Sequence, residues 1–153
     1  MAEILAPAGS FEALKAAVAS GADAVYFGGT ALNARVFGKN FTDEELKEAA
    51  RYLRLHGVKS YLTLNTLVSD KEIKDLFPFV KLVNEIGIDA VIVQDFAVFE
   101  AVKRICPTMP LHASTQMAVH NVSGAKQMQE LGFTRVVLAR EMSAEEIRAV
   151  VEQ

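Results

Sequence analysis

Four stretches of the chain share one pattern of polar and apolar positions. They are "SGADAVYFGG" (20–29), "HGVKSYLTLN" (56–65), "IGIDAVIVQD" (86–95) and "LGFTRVVLAR" (131–140). Each opens near a glycine, passes through a short link and ends in an apolar run of strand length. Each follows a segment with helical spacing of its apolar residues. Gly21, Gly57, Gly87 and Gly132 therefore fall just after a helix, where a positive φ is needed. The interval from Gly87 to Gly132 is the longest and leaves room for a further strand, "LHASTQM" (111–117). The pattern predicts strands over 3–8, 24–29, 59–65, 90–95, 111–117 and 135–141. It predicts helices over 10–20, 43–56, 70–86, 96–105, 122–131 and 144–152.

Helix starts agree with this reading. "TDEE" (42–45), "SDKE" (69–72) and "SAEE" (143–146) each put Ser or Thr at a cap and Glu three residues on, the spacing of a capping box. Pro78 lies inside the third helical segment and is expected to kink or split it near Phe77. At the first strand, "EILAPAGS" predicts that Pro7 ends the ladder, Gly9 turns the chain and Ser10 caps the first helix. Strands such as "AVIVQD" and "RVVLAR" are apolar on both faces, as in a parallel sheet covered on both sides. Strict βα alternation leaves two architectures: a TIM-barrel-like (β/α) barrel with six of eight units present, or an open doubly wound sheet. Neither a dinucleotide GxGxxG nor a phosphate loop GxxxxGK[ST] occurs. Polar residues also collect at the carboxyl ends of several strands, so the incomplete barrel is the expected fold.

Composition narrows the class. The chain has 153 residues, 51% of them hydrophobic, enough for one domain with a core. The net charge is −3 and no stretch is strongly basic, so the segment lacks the electrostatic footprint of a nucleic-acid binder. Cys106 is the one cysteine, which excludes an internal disulfide and a cysteine-based metal site. "MAEILAPAGS" does not read as a signal peptide, and no apolar run is long enough for a membrane span. The expectation is a cytoplasmic chain with no membrane contact.

Five blocks in order, "LAPAGSFEALKAAVASGADAVYFGG", "TLNTLV", "VQD", "LHASTQM" and "VVLARE", resemble the collagenase-like peptidase family, class U number thirty-two. The resemblance covers essentially the whole chain. It implies an amino-terminal barrel followed by further segments, so residues 1–153 read as a single partial barrel domain from a longer protein. It implies peptidase activity by name. It also implies an alternative: several members look like hydroxylases of tRNA or rRNA bases or of a quinone precursor, with an iron–sulfur cluster held by cysteines. Those cysteines map beyond residue 153, and Cys106 in "KRICPTMP" does not match a cluster ligand. No cofactor is therefore expected in this segment, and nucleic acid is expected as a partner only of the full-length protein.

Candidate site residues follow from the strand ends. His112, Ser114 and Gln116 share one face of the fifth predicted strand by its period of two, with Ala113, Thr115 and Met117 toward the helices. They aim into the barrel or fill an interior layer. Arg140 and Glu141 end the sixth strand, as an anion-binding guanidinium beside a carboxylate acid or base, or as a rim salt bridge. The catalytic candidates are Glu141, Arg140 and His112, and the resemblance favours the first two. Substrate-binding candidates are Asn65, Gln94, Asp95, Gln116, Tyr26 and Arg35. Asp95 could instead cap the next helix, and Asn65 could stabilise its own turn. Gly28 and Gly29 imply close backbone approach, by a ligand or by the loop 30–42 that carries Asn33 and Arg35. No GxSxG, HExxH or Cys/His pair is present, and the spacing of His112, His120 and Glu141 does not compel a metal site. Two functions stay open: an enzyme segment, or a non-catalytic binding and assembly module. Either way, six units leave bare strand edges, and self-association through them is expected, besides the missing carboxyl-terminal part as a partner.

Overall fold

The computed structural model describes residues 2–30, 32 and 40–152. The chain alternates strand and helix throughout. The strands are β1 (Leu5–Pro7), β2 (Ala24–Gly28), β3 (Lys59–Leu64), β4 (Ala90–Val93), β5 (Leu111–Ala113) and β6 (Arg135–Val136). The helices are α1 (Phe11–Ala19), α2 (Asp43–Leu55), α3 (Ile73–Ile86), α4 (Phe96–Ile105), α5 (Val122–Leu131) and α6 (Ala144–Val151). All six strands pair in parallel, in sequential order β1-β2-β3-β4-β5-β6. A doubly wound sheet reverses its strand order part-way, so the sequential order excludes that alternative. The molecule is a curled half-barrel, an incomplete (β/α) barrel.

Strand alternation divides the apolar residues between two faces. Val25, Phe27, Leu62, Leu64, Val91 and Val93 point outward to the helices and join the main core with Leu14, Leu46, Leu53, Leu76 and Val102. A second, smaller cluster of Ala24, Tyr61, Ala90 and Ile92, with Leu5 and Tyr26 against it, fills the concave face. The outer face has the large apolar volume because it buries helices. The inner face carries most of the buried polar side chains, Thr63 and His112 among them.

The caps follow the sequence pattern with one exception. Ser10 Oγ accepts from Ala13 N, and complete capping boxes start α2 at Thr42 and α6 at Ser143. At Ser69 only half of the box forms: Glu72 accepts from the Ser69 backbone and hydroxyl, and a turn precedes the helix, which starts at Ile73 instead of 70. Pro78 neither splits nor ends α3. It sits in the second turn, where its missing N–H removes one helical bond, and Leu76, Val80 and Val83 bury the helix through it.

All six strands are shorter than predicted, the fifth and sixth most of all. The run 111–117 is strand only to Ala113, and Thr115–Met117 form a single 3-10 turn. Ser114 breaks the strand because its side chain accepts from Gln116 N, a local bond that competes with the ladder. The alternation expected for 112–117 therefore stops at Ser114. Thr115 turns toward β6, its hydroxyl donating to Leu138 O at 3.3 Å. The sixth strand ends at Val136, although Val137 N still donates to Ala113 O at 2.9 Å.

Candidate functional site

The carboxyl ends of the strands surround a cavity of about 380 Å³. Leu5 and Ile92 give it an apolar floor, and Tyr26, Gly28 and Thr63 form one wall with Asn65 above. Ser114, Thr115 and Gln116 form the opposite wall beside Val137, Leu138 and Arg140. Asn40 closes the remaining side. The 3-10 turn matters here, because it puts three successive residues on the rim where a continuing strand would present only alternate ones. Four of the sequence candidates thus meet in one place: Tyr26, Asn65, Gln116 and Arg140.

The other candidates lie elsewhere. Gln94 and Glu141 do not line the cavity, and Glu141 is exposed on a turn. Asp95 caps α4 through Oδ1, which accepts from Ala97 N at 2.6 Å, while Oδ2 accepts from Val68 N at 3.1 Å and ties down the loop after β3. Arg35 and Asn33 lie outside the described residues. Gly29 admits the chain itself: it bridges Phe41, and an added Cβ would come within 3.2 Å of Leu46. The close approach expected there is thus made by the protein's own backbone.

His112 is buried beneath the cavity and does not line it. Its ring stands edge-on to Tyr61, with centroids 4.7 Å apart, and Nδ1 has no hydrogen-bond partner. Burial, reinforced by the Arg135 charge, pushes its pKa down to about 4, so it is neutral at pH 7. Ser114 Oγ meets Gln116 and not His112, so no serine–histidine pair forms.

A second polar group, which sequence reasoning missed, occupies the concave face at the amino-terminal ends of the strands. Glu3 accepts from three donors: Arg135 Nη1 at 2.5 Å, Tyr61 Oη at 2.9 Å and Lys59 Nζ at 3.1 Å. The Arg135 guanidinium also lies over the Tyr61 ring, 5.3 Å from its centroid. The Arg135 hydrogen bond, chiefly, holds the Glu3 carboxyl at about 2. The signal in the sequence was faint: Lys59, Tyr61 and Arg135 all fall on the inward phase of their strands, where an apolar residue would be the default.

The described residues offer no fit for a metal cluster. No group of three His, Cys, Asp or Glu is close enough to hold an ion. Cys106 is buried on the helix side, its thiol is pushed up by burial, and its sulfur faces Val80 O at 4.0 Å. Among the described residues no set of cysteines could hold an iron–sulfur cluster. Among the described residues no helix is long and apolar enough to cross a membrane.

A curled parallel sheet with a polar cavity at its carboxyl ends defines a barrel-type α/β protein, and solved structures agree. The U32 peptidase Mk0906 superposes with a TM-score of 0.76 at 18% identity, over 99% of this chain and 65% of that one. A phosphonopyruvate hydrolase superposes at 0.66 with 15% identity, over 99% of this chain and 63% of that one. At such identities the likeness is one of fold alone. The sequence goes further: residues 9–153 match the model of peptidase family U32, and the chain belongs to that family. Its curated relatives carry different names. The tRNA hydroxylation protein P1 of Bacillus subtilis is 38% identical over 99% of this chain and 36% of its own length. A 23S rRNA 5-hydroxycytidine synthase of Escherichia coli is 36% identical over 97% of this chain and 22% of its own. A collagenase of Porphyromonas gingivalis is 38% identical over 98% of this chain and 36% of its own. The chain thus spans roughly a quarter to a third of the length of these relatives.

Proposed function

We propose that this chain is the nucleobase-binding barrel segment of an RNA-hydroxylating protein. The observation that carries the reading is the chemistry of the cavity wall. Among the described residues its polar side chains are amides and hydroxyls (Asn40, Asn65, Gln116, Tyr26, Thr63, Ser114) with the cation Arg140, and no described carboxylate, thiol or imidazole lines it. Amides and hydroxyls match the donor and acceptor edges of an unstacked base, and a guanidinium suits the adjoining phosphate. An acid–base peptidase needs a carboxylate or imidazole, and a serine or threonine nucleophile needs a base beside it; Ser114 Oγ meets only Gln116. The names of relatives in several bacteria, tRNA hydroxylation proteins and a 23S rRNA 5-hydroxycytidine synthase, support the same reading over the peptidase one. Catalysis and any iron–sulfur cluster belong, in this reading, to the parts of the longer protein outside this chain.

With a net charge of −3, the segment gains little from phosphate attraction, so its own affinity for RNA is weak, about 0.1 mM. Titration of a fluorescein-labelled pentaribonucleotide of cytidine and uridine tests the reading. Arg140→Ala should weaken binding about fivefold. Absence of binding by the wild-type chain overturns the proposal. So does hydrolysis of a collagen-derived peptide by the chain that Glu141→Gln abolishes, which would restore the peptidase reading.

A further inference from the structure

We propose that Glu3 is a positioning residue for the cavity: through Arg135 it clasps the first strand to the sixth across the concave face and so holds the Arg140 wall opposite the Tyr26 wall. The inference rests on the nucleobase-binding reading for its ligand but not for its geometry. The sheet ladder joins only neighbouring strands, and β1 and β6 are its two edges. Glu3 precedes β1 by two residues, and Arg135 opens β6, 132 positions along the chain. The bond between them crosses the hollow of the half-barrel.

The clasp has consequences at the mouth because β6 is short. Arg135 and Val136 pair with β5, Val137 N adds one further bond to Ala113 O, and Val137, Leu138 and Arg140 then lead directly into the cavity wall. A two-residue strand on an open edge has little else on its free side to set its angle. Tyr61 sharpens the clasp by bonding Glu3 through its hydroxyl while its ring lies under the Arg135 guanidinium. The carboxylate, the guanidinium and the phenol thus set three strands relative to one another. Neutralising Glu3 leaves the Arg135 and Lys59 charges facing each other and releases β6 outward. The cavity then widens on the Arg140 side with the ladder elsewhere intact.

The test uses the 153-residue chain, the same labelled pentaribonucleotide and amide hydrogen exchange. Glu3→Gln and Arg135→Gln should each weaken binding about tenfold, and the double variant should add little to either, since both act through one bond. Arg135→Lys should recover part of the loss. In both single variants amides of 137–140 should exchange faster while Val91 and Val93 keep their protection. Affinity within twofold of wild type in both single variants overturns the proposal. Uniformly faster exchange across the sheet also overturns it, because that marks general destabilisation. If the wild-type chain binds no RNA, the proposed function fails, and the exchange pattern alone decides the clasp.

Discussion

Among the described residues, Glu3 and His112 carry large displacements of acidity, and they lie within one cluster. Glu3 is held at about 2 by its three donors, against an ordinary value of 4.5. A folded-state value below the unfolded one stabilises above the unfolded pKa, and that contribution disappears as pH falls from about 4.5 toward 2. His112 is pushed down from 6.5 to about 4, so it is the unfolded chain that takes up its proton first. Stability is then lost as pH falls from 6.5 toward 4. Two outcomes follow for urea denaturation. Glu3→Gln should cost about 1–2 kcal/mol at pH 7 and flatten the loss below pH 4.5. His112→Phe should change stability by less than about 1 kcal/mol at pH 7, because it removes an orphaned nitrogen while keeping an aromatic ring beside Tyr61. At pH 5 the same variant should be more stable than wild type by about 2 kcal/mol.

Single elements depend on a few local devices. Gly87 ends α3 with φ +77, and Arg54 Nη2 donates to both Ile86 O and Gly87 O at 2.8 and 3.0 Å. A Cβ at Gly87 would come within 2.5 Å of that nitrogen. Gly87→Ala should therefore lose the helix cap and strain the backbone, lowering stability by about 1–3 kcal/mol in thermal unfolding. Asp95 joins two elements, the start of α4 and the loop after β3. Asp95→Ala should cost about 1–2 kcal/mol and speed exchange at Val68, with little effect on RNA affinity, since Asp95 does not line the cavity. A large loss of affinity with stability unchanged would instead make Asp95 a binding residue.

At the scale of the molecule, the open edges of β1 and β6 predict self-association. Unpaired N–H and C=O groups along both are templates for pairing with another chain. Exposed Ile4 beside β1 and exposed Leu131, Ile147 and Val151 on α5 and α6 add apolar surface near the two ends of the sheet. Sedimentation of the isolated chain should show dimers or larger species growing with concentration, and a clean monomer at high concentration would refute this. The Glu3 clasp acts at the same scale, because it sets the curl that the ladder alone leaves loose.

How much of this was legible depended on distance along the chain. Six units of strand and helix follow from local periodicity, and the four repeat glycines adopt positive φ because each ends a helix the same way. Tyr26, Asn65, Gln116 and Arg140 could be picked out because strand carboxyl ends lie near the mouth, but that rule equally chose Gln94, Asp95 and Glu141, which do not line the cavity. The 3-10 turn at Thr115–Met117 was less legible, since it depends on a hydroxyl of Ser114 competing with the ladder. Asp95 had two local roles open, and only the packing of α4 against the loop after β3 shows which bonds it makes.

The sequence by itself determined the alternation, the parallel sheet and the strand ends that could form a site, because those rest on patterns within some thirty residues. Tertiary structure decided which of those ends share one cavity, that His112 lies beneath it with an unpartnered nitrogen, and that Glu3 meets Arg135. Those outcomes depend on the curl of the whole sheet. Side chains more than a hundred residues apart meet only once six strands have bent around a common hollow.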